Sequence, residues 1–252
     1  MKIVARIILL FVLVLIVIPI FSIFYYSFSN TEIDIFSWYR EIVNQGDFLN
    51  ALWLSVKTSI IVGIVTSILG FIISLAWFNK TQRYAVIFLI VVLGLIPPDI
   101  IALGISQFSQ LLNIRGSNLF FTVIGLMLYS LPFTILLLWS RYYFIDDVII
   151  KSAKDIGMKN LHINLKIIMG MSISTLFSSF IFNFILSLNE YPRTYYLSGY
   201  HNFLSEYLYS KLKSGADESI YAGSGLTILV TFILLLLTFV VFKYSNTSDK
   251  KG

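Results

Sequence analysis

The chain has 252 residues, 58% hydrophobic and only 12% charged, with a mean hydropathy of +0.86, which excludes a water-soluble domain and marks an integral membrane protein. The formal net charge of +5 resides in the loops between apolar runs, and no soluble stretch carries a basic patch interleaved with aromatics, so no nucleic-acid partner is expected. Zero cysteines exclude disulfides and thiolate metal sites, and the two histidines, His162 and His201, fall in separate loops on opposite sides of the expected membrane, so no metal centre is expected either.

Six apolar runs, 5–28, 54–78, 84–112, 119–140, 167–191 and 221–242, are long enough as helices to cross a hydrocarbon core of about 30 Å. They predict an all-α membrane protein with a single transmembrane domain, 1–252. The first run follows Lys2 and Arg6 and has no small-residue cleavage pattern after Phe28, so a retained anchor is expected. With both termini inside, 12 of the 18 lysines and arginines lie on the inner side, while Glu32, Asp34, Glu41, Asp47, Glu206, Asp217 and Glu218 lie outside. This charge bias places the 141–166 loop in the cytoplasm.

The outer segment 29–53 carries Trp38, Tyr39 and Trp53, suited to the headgroup layer, and a short surface helix is expected around 36–43. Span two carries Gly63, Ser67, Gly70 and Ser74, a spacing of small residues that lets helices approach closely. The short basic turn 79–83 makes spans two and three antiparallel neighbours. In span three, Pro97 and Pro98 remove two backbone donors, so the helix is kinked or interrupted there. Asp99 follows, and Ser106, Gln110 and Asn113 fall within about 40° of its direction at about 100° per residue.

The loop 141–166 is the one long basic segment. Asp146 and Asp147 suit a helix start, Ile149, Ala153 and Ile156 recur at helical spacing, and Gly157 supplies a stop. Such an amphipathic helix either lies on the bilayer or docks into another protein. In span five, Ser172, Thr175, Ser179, Asn183, Ser187 and Glu190 form a second polar stripe. A lipid-facing acid costs about 2.5–3.5 kcal/mol, so both stripes should face protein or water. Interhelical hydrogen bonding is the plainer reading for the Ser and Thr members. The candidate pathway residues are Asp99, Ser106, Gln110, Asn183, Ser187 and Glu190. The outer segment 192–220 repeats Leu204, Leu208 and Leu212 at a helical interval, beside tyrosines that suit the interface.

Motifs of a self-powered machine are missing: the sequence contains no GxxxxGK[ST] loop, no HExxH and no GxSxG. The 141–166 loop resembles the EAA loop of bacterial ABC-importer permeases, in which E-A-A is followed by three residues, Gly, nine residues and I-x-L-P. Lys151, Ser152 and Ala153 stand at the first three places and Gly157 at the glycine; Ile167, Ile168, Met169 and Gly170 stand at the end. The chain departs from the pattern at the acid, the first alanine, and the final Leu and Pro. It also resembles the spermidine/putrescine permease branch at Pro98-Asp99-Ile100, Leu131-Pro132-Phe133, Ser140-Arg141, Ala153 to Gly157, Leu186 to Glu190, and Tyr209 to Leu212.

That resemblance implies a non-enzymatic inner-membrane permease with six spans and a coupling helix between the fourth and fifth. It implies a second permease, two cytoplasmic ATPase subunits that bind ATP and Mg, and an extracytoplasmic substrate-binding protein, with a small cationic cargo. No cofactor is expected on this chain itself. Ile149, Lys151, Ser152, Ala153, Ile156 and Gly157 would meet the ATPase, with Ile149, Ala153 and Ile156 as buried anchors and the lysines at the rim. Related permeases move iron, thiamine, phosphonates or amino-acid derivatives. An anion importer would be expected to place Lys or Arg on the stripes, where none stands. A lipid-acting membrane enzyme with Asp99 or His162 as base lacks a nucleophile or a paired acid and base; a secondary carrier should show internal inverted repeats, and none is visible.

Overall fold

The computed structural model describes residues 2–29, 36–77, 83–113, 119–215 and 218–248, and among them every regular element is helical. In chain order these are α1 (Lys2–Ser27), α2 (Ser37–Asn44), α3 (Gly46–Trp77), α4 (Arg83–Leu95), α5 (Pro98–Leu111), α6 (Leu119–Tyr142) and α7 (Asp147–Asp155). They continue as α8 (Asn160–Met171), α9 (Ile173–Leu188), α10 (Pro192–Leu197), α11 (Leu204–Gly215) and α12 (Glu218–Ser248). The basic turn read at 79–83 lies, apart from Arg83, outside the described residues, as do the acids Glu32 and Asp34.

Among the described residues, α1, α3, α6 and α12 are unbroken, long and apolar enough to cross a membrane, and α8 with α9, bent by 70°, are together long and apolar enough as a broken span or a re-entrant pair. The third apolar run differs from a continuous span. Pro97 sits outside helical geometry, with φ −53° and ψ 137°, and divides the run into α4 and α5. Each half is roughly 20 Å long at about 1.5 Å per residue, short of the hydrocarbon thickness by itself.

The centre of the molecule is the three-way packing of α3, α6 and α9. Small residues on α3 allow it, as the spacing of Gly63, Ser67, Gly70 and Ser74 predicts. A Cβ built on Gly63 would stand 2.9 Å from Phe180 Cδ2, and one on Gly70 would stand 2.4 Å from Thr134 Cγ2. Ser67 meets Ser179 hydroxyl to hydroxyl at 2.8 Å, and Ser74 donates to Tyr142 Oη at 3.1 Å while its carbonyl accepts from Trp139 Nε1. Four small positions on one helix therefore make four close contacts to two neighbours. Gly70→Val is expected to force α3 and α6 apart at a cost of about 1–3 kcal/mol, as overpacking does. A thermal melt of the detergent-solubilised protein reads this directly, and a wild-type midpoint would show that the two helices do not touch there.

The outer helices close one end. The surface helix expected around 36–43 is present as α2, with Ile42 buried, and the helix expected on the leucine repeat is present as α11. Tyr207 of α11 stacks edgewise on Phe48 and donates to Gln45 Oε1 at 2.6 Å, and the Leu204 amide donates to Ser55 Oγ at 2.8 Å. Burial pushes the Glu206 carboxyl above the usual carboxylate range, partly offset by the Ser198 hydroxyl that donates to it at 3.2 Å. α1 packs chiefly on α12, and the apolar residues along its length remain exposed within the chain.

Candidate functional site

At the opposite end from α2 and α11, the polar connection between α6 and α8 folds as a short helix fixed at both ends. Asp146 caps α7 by accepting the Val148 amide at 2.9 Å. At the other end the Gly157 amide donates to the Lys154 carbonyl at 2.9 Å and the Met158 amide to the Ala153 carbonyl at 3.0 Å. That pair of bonds is a Schellman stop, and it requires the left-handed backbone that Gly157 adopts, with φ +83°. Asp147 in the first turn and Lys154 in the last complement the helix dipole.

The three apolar residues at helical spacing separate in the structure. Ala153 is 5% exposed and seats α7 within the chain, near the turn that begins at Ile163. Ile149 and Ile156, 40% and 78% exposed, point outward together with Val148, Phe144 and Leu161. Lys151 and Ser152 are exposed beside them. α7 thus has an inner contact through Ala153 and an uncovered apolar face through the two isoleucines.

Beyond α7 the chain departs from regular α-helical hydrogen bonding. Ile163–Ile168 is a π-helical stretch, and the chain then turns by 70° at Ser172. The break frees the Met171 carbonyl, which accepts two bonds from Arg141 at the end of α6, Nε at 2.9 Å and Nη2 at 2.7 Å. A charged donor on a carbonyl freed by a bend satisfies an acceptor that lipid cannot. Arg141→Gln is expected to destabilise the protein by about 1.5–3 kcal/mol and to change the α8–α9 angle. Spin-label distances across Ser172 test it, and a wild-type distance distribution would discount the clamp.

The span-five stripe points inward as expected: Ser172, Thr175, Ser179, Asn183, Ser187 and Glu190 are all buried. The structure separates its members by role. Asn183 Oδ1 accepts from Thr134 Oγ1 at 3.0 Å, and its Nδ2 donates to Ser67 Oγ at 3.3 Å, so this amide bonds α9 to α6 and α3. Ser187 is buried with its hydroxyl unpartnered. Glu190, where α9 has ended, reaches a cleft of about 200 Å³ lined by Gly94, Ile96, Pro98, Tyr129, Pro132 and Arg193, among others. The span-three stripe does not join it: Asp99 and Gln110 are exposed on α5 and Ser106 is half-buried. Asn113 lies beyond the helix with φ +57°.

Glu190 is paired. Arg193 Nη1 donates to Glu190 Oε1 at 2.5 Å, with both side chains buried. The guanidinium carbon lies 4.2 Å from the centre of the Tyr129 ring. Arg193 rides on α10, a helix not expected from the sequence, which starts at Pro192 and packs on α5 and α6. Leu197 of α10 fits against α6 where Gly125 leaves room; a Cβ there would approach Leu197 Cδ1 to 2.6 Å. The sequence signal for this pair was the spacing of three between an acid and an arginine around a helix-starting proline. Among the described residues, no cluster of three or more His, Cys, Asp or Glu side chains could hold a metal.

No protein-family model matches the chain. Among curated proteins it is similar to the spermidine/putrescine transport system permease protein PotC of Haemophilus influenzae, 20% identical over 213 residues, covering 83% of this chain and 82% of that protein. The protein of the same name from Escherichia coli K12 is 21% identical over 248 residues, 93% of each chain. Among solved structures, it is similar to a chain of a bacterial ABC transporter involved in the import of the acidic polysaccharide alginate, with a TM-score of 0.65 and 16% identity over 98% of both chains. It is also similar to a chain of the inward-facing MetNI methionine ABC transporter, with a TM-score of 0.60 and 14% identity over 77% of this chain and 96% of that one. The fold is that of type-I ABC-importer permeases, and the chain carries several helices long and apolar enough for a multi-pass membrane protein.

Proposed function

We propose that this chain is the permease subunit of an ATP-driven importer, that it hydrolyses no ATP itself, and that it moves a small polyamine. α7 is its cytoplasmic coupling helix, the six apolar runs make six passages through the membrane, and both termini are cytoplasmic. An ATPase pair, a second permease and an external binding protein complete the assembly. ATP binding closes the ATPases, α7 moves as a lever, and the two permeases alternate between inward-open and outward-open forms. A flexible polycation suits a pathway of carboxylates and aromatic faces, and Glu190 with Tyr129 provides such a pair. Asp99, Ser106 and Gln110 on α5 and Asn183 and Ser187 on α9 complete the proposed pathway, the α5 members being covered within this chain only in part. The cargo assignment draws on the names of the curated relatives.

One observation carries the reading above the others. α7 is capped at both ends, seated inward by Ala153, and presents Ile149 and Ile156 exposed at the end of the bundle. A capped helix with an exposed apolar edge suits docking into a partner. Purification of the assembled complex from native membranes in mild detergent is expected to recover an ATPase, and Ile149→Asp with Ile156→Asp to release it while the chain stays inserted. A complex that contains no ATPase would sink the proposal.

A further inference from the structure

We infer that Arg193 is a tethered competitor for the cation site at Glu190: with no cargo in the pathway it occupies the acid, and an incoming ammonium must displace it. This rests on the permease reading with a cationic cargo and adds a residue that sets its selectivity. The chemistry that would recognise an ammonium is a carboxylate together with an aromatic face. At Glu190 and Tyr129 both are present, and the chain's own guanidinium already fills them, at 2.5 Å from the carboxylate and 4.2 Å from the ring centre.

Three features make this a latch that opens rather than a permanent brace. Arg193 Nε is buried with no hydrogen-bond partner, so the closed arrangement leaves one donor unsatisfied at a cost that displacement into a wetter position relieves. The cleft beside the pair offers about 200 Å³ of space with mostly apolar walls from the broken third run and α6. In such walls the pair attracts strongly, and a competing charge at the same acid acts strongly too. Finally, the acid lies in a break in the helix and the base on the helix beyond it. Asn189 to Tyr191 are non-helical between α9 and α10, so a small rotation of α10 over α5 and α6 separates Arg193 from Glu190 while both helices stay intact. The Thr194 hydroxyl, 2.9 Å from the Glu190 carbonyl, spans the same joint and limits its travel.

A self-occupied acid has two consequences. Small inorganic cations find no bare carboxylate at Glu190, so the resting transporter does not leak them through this site. The affinity of cargo is reduced by the fraction of time the latch is closed, which keeps binding weak enough for release; a latch closed nine-tenths of the time weakens it about tenfold.

The experiment uses the full transporter in detergent and in proteoliposomes at pH 8, without added external binding protein, with putrescine as probe and potassium leak as an independent readout. Arg193→Gln is expected to tighten putrescine binding about tenfold and to raise potassium leak. Adding Glu190→Gln to it is expected to remove both gains. Tyr129→Leu, which withdraws the ring that holds Arg193 and leaves both charges, is expected to raise potassium leak by a smaller factor, and this leak readout serves if Arg193→Gln fails to assemble. Assembled Arg193→Gln with wild-type binding and leak overturns the inference. So does loss of putrescine binding to the level of Glu190→Gln, because Arg193 would then hold cargo or structure. If the wild type binds no putrescine, the cargo reading fails, and the leak measurement alone still decides the latch.

Discussion

Ala153→Arg is expected to reduce uptake to background while the helices remain inserted and ATP hydrolysis by the partner continues. Ala153 is 5% exposed on the inner side of α7, seated near the π-helical stretch that leads into the 70° bend. An arginine stem does not fit between α7 and that stretch. Overpacking alone costs about 1–3 kcal/mol, and α7 relieves it by lifting off its seat toward the side where Val148 and Ile156 are exposed. The lever is then detached from the bend clamped by Arg141, so motion at the ATPase no longer reaches α9. Ala153→Ser, which is close to isosteric, should retain uptake. The measurement compares transport, ATP hydrolysis and membrane insertion in the same preparation; full transport by the arginine variant would rule out α7 as the coupling element.

Glu190→Leu carries the second large effect, and it falls on stability. Arg193 is buried and has no accessible neutral form, so removing its acid leaves an uncompensated charge in an apolar cleft. Breaking such a pair from one side costs about 3–5 kcal/mol, whereas replacing both partners by apolar residues of similar volume is close to neutral. Glu190→Leu is therefore expected to lower the melting temperature sharply, and Glu190→Leu with Arg193→Met to restore most of it. Arg193→Gln should be milder than Glu190→Leu, since glutamine keeps a side-chain donor within reach of the carboxylate. A single variant that melts with the wild type, or a double variant no better than the single, would show that the two side chains are not paired in the membrane.

Much of the architecture was legible along the chain because it is set by interactions within a few residues. Apolar runs give spans because a backbone in lipid must satisfy its own hydrogen bonds. Two successive prolines, Pro97 and Pro98, remove two adjacent backbone donors and divide the third run. Asp146 and Gly157 bound α7 through contacts two to five residues away. The inward direction of the Ser172 to Glu190 stripe followed from helical periodicity on an apolar background. The same logic marked Gly63, Ser67, Gly70 and Ser74 as a close-approach face, and each has its partner.

What periodicity left open was where each of these residues ends up once helices distant in sequence are brought together. Asn183 and Glu190 share a stripe, yet one is consumed in a bond network between three helices and the other reaches a cleft, because α9 ends between them. Asp99 and Glu190 look equivalent as membrane acids, yet the break at Pro97 leaves Asp99 exposed on α5 while Glu190 is buried against α10. The amphipathic spacing of Ile149, Ala153 and Ile156 suggested one buried face; packing against the α8 turn gave the alanine to the chain and left the isoleucines free. Sequence by itself determined a helical membrane protein with a capped polar helix between its fourth and fifth apolar runs, because hydrophobic length and capping are local. The tertiary structure decided that Arg141 holds the bend and that Arg193 sits on Glu190, because a charge buried in an apolar interior is stable only where the fold brings it a partner.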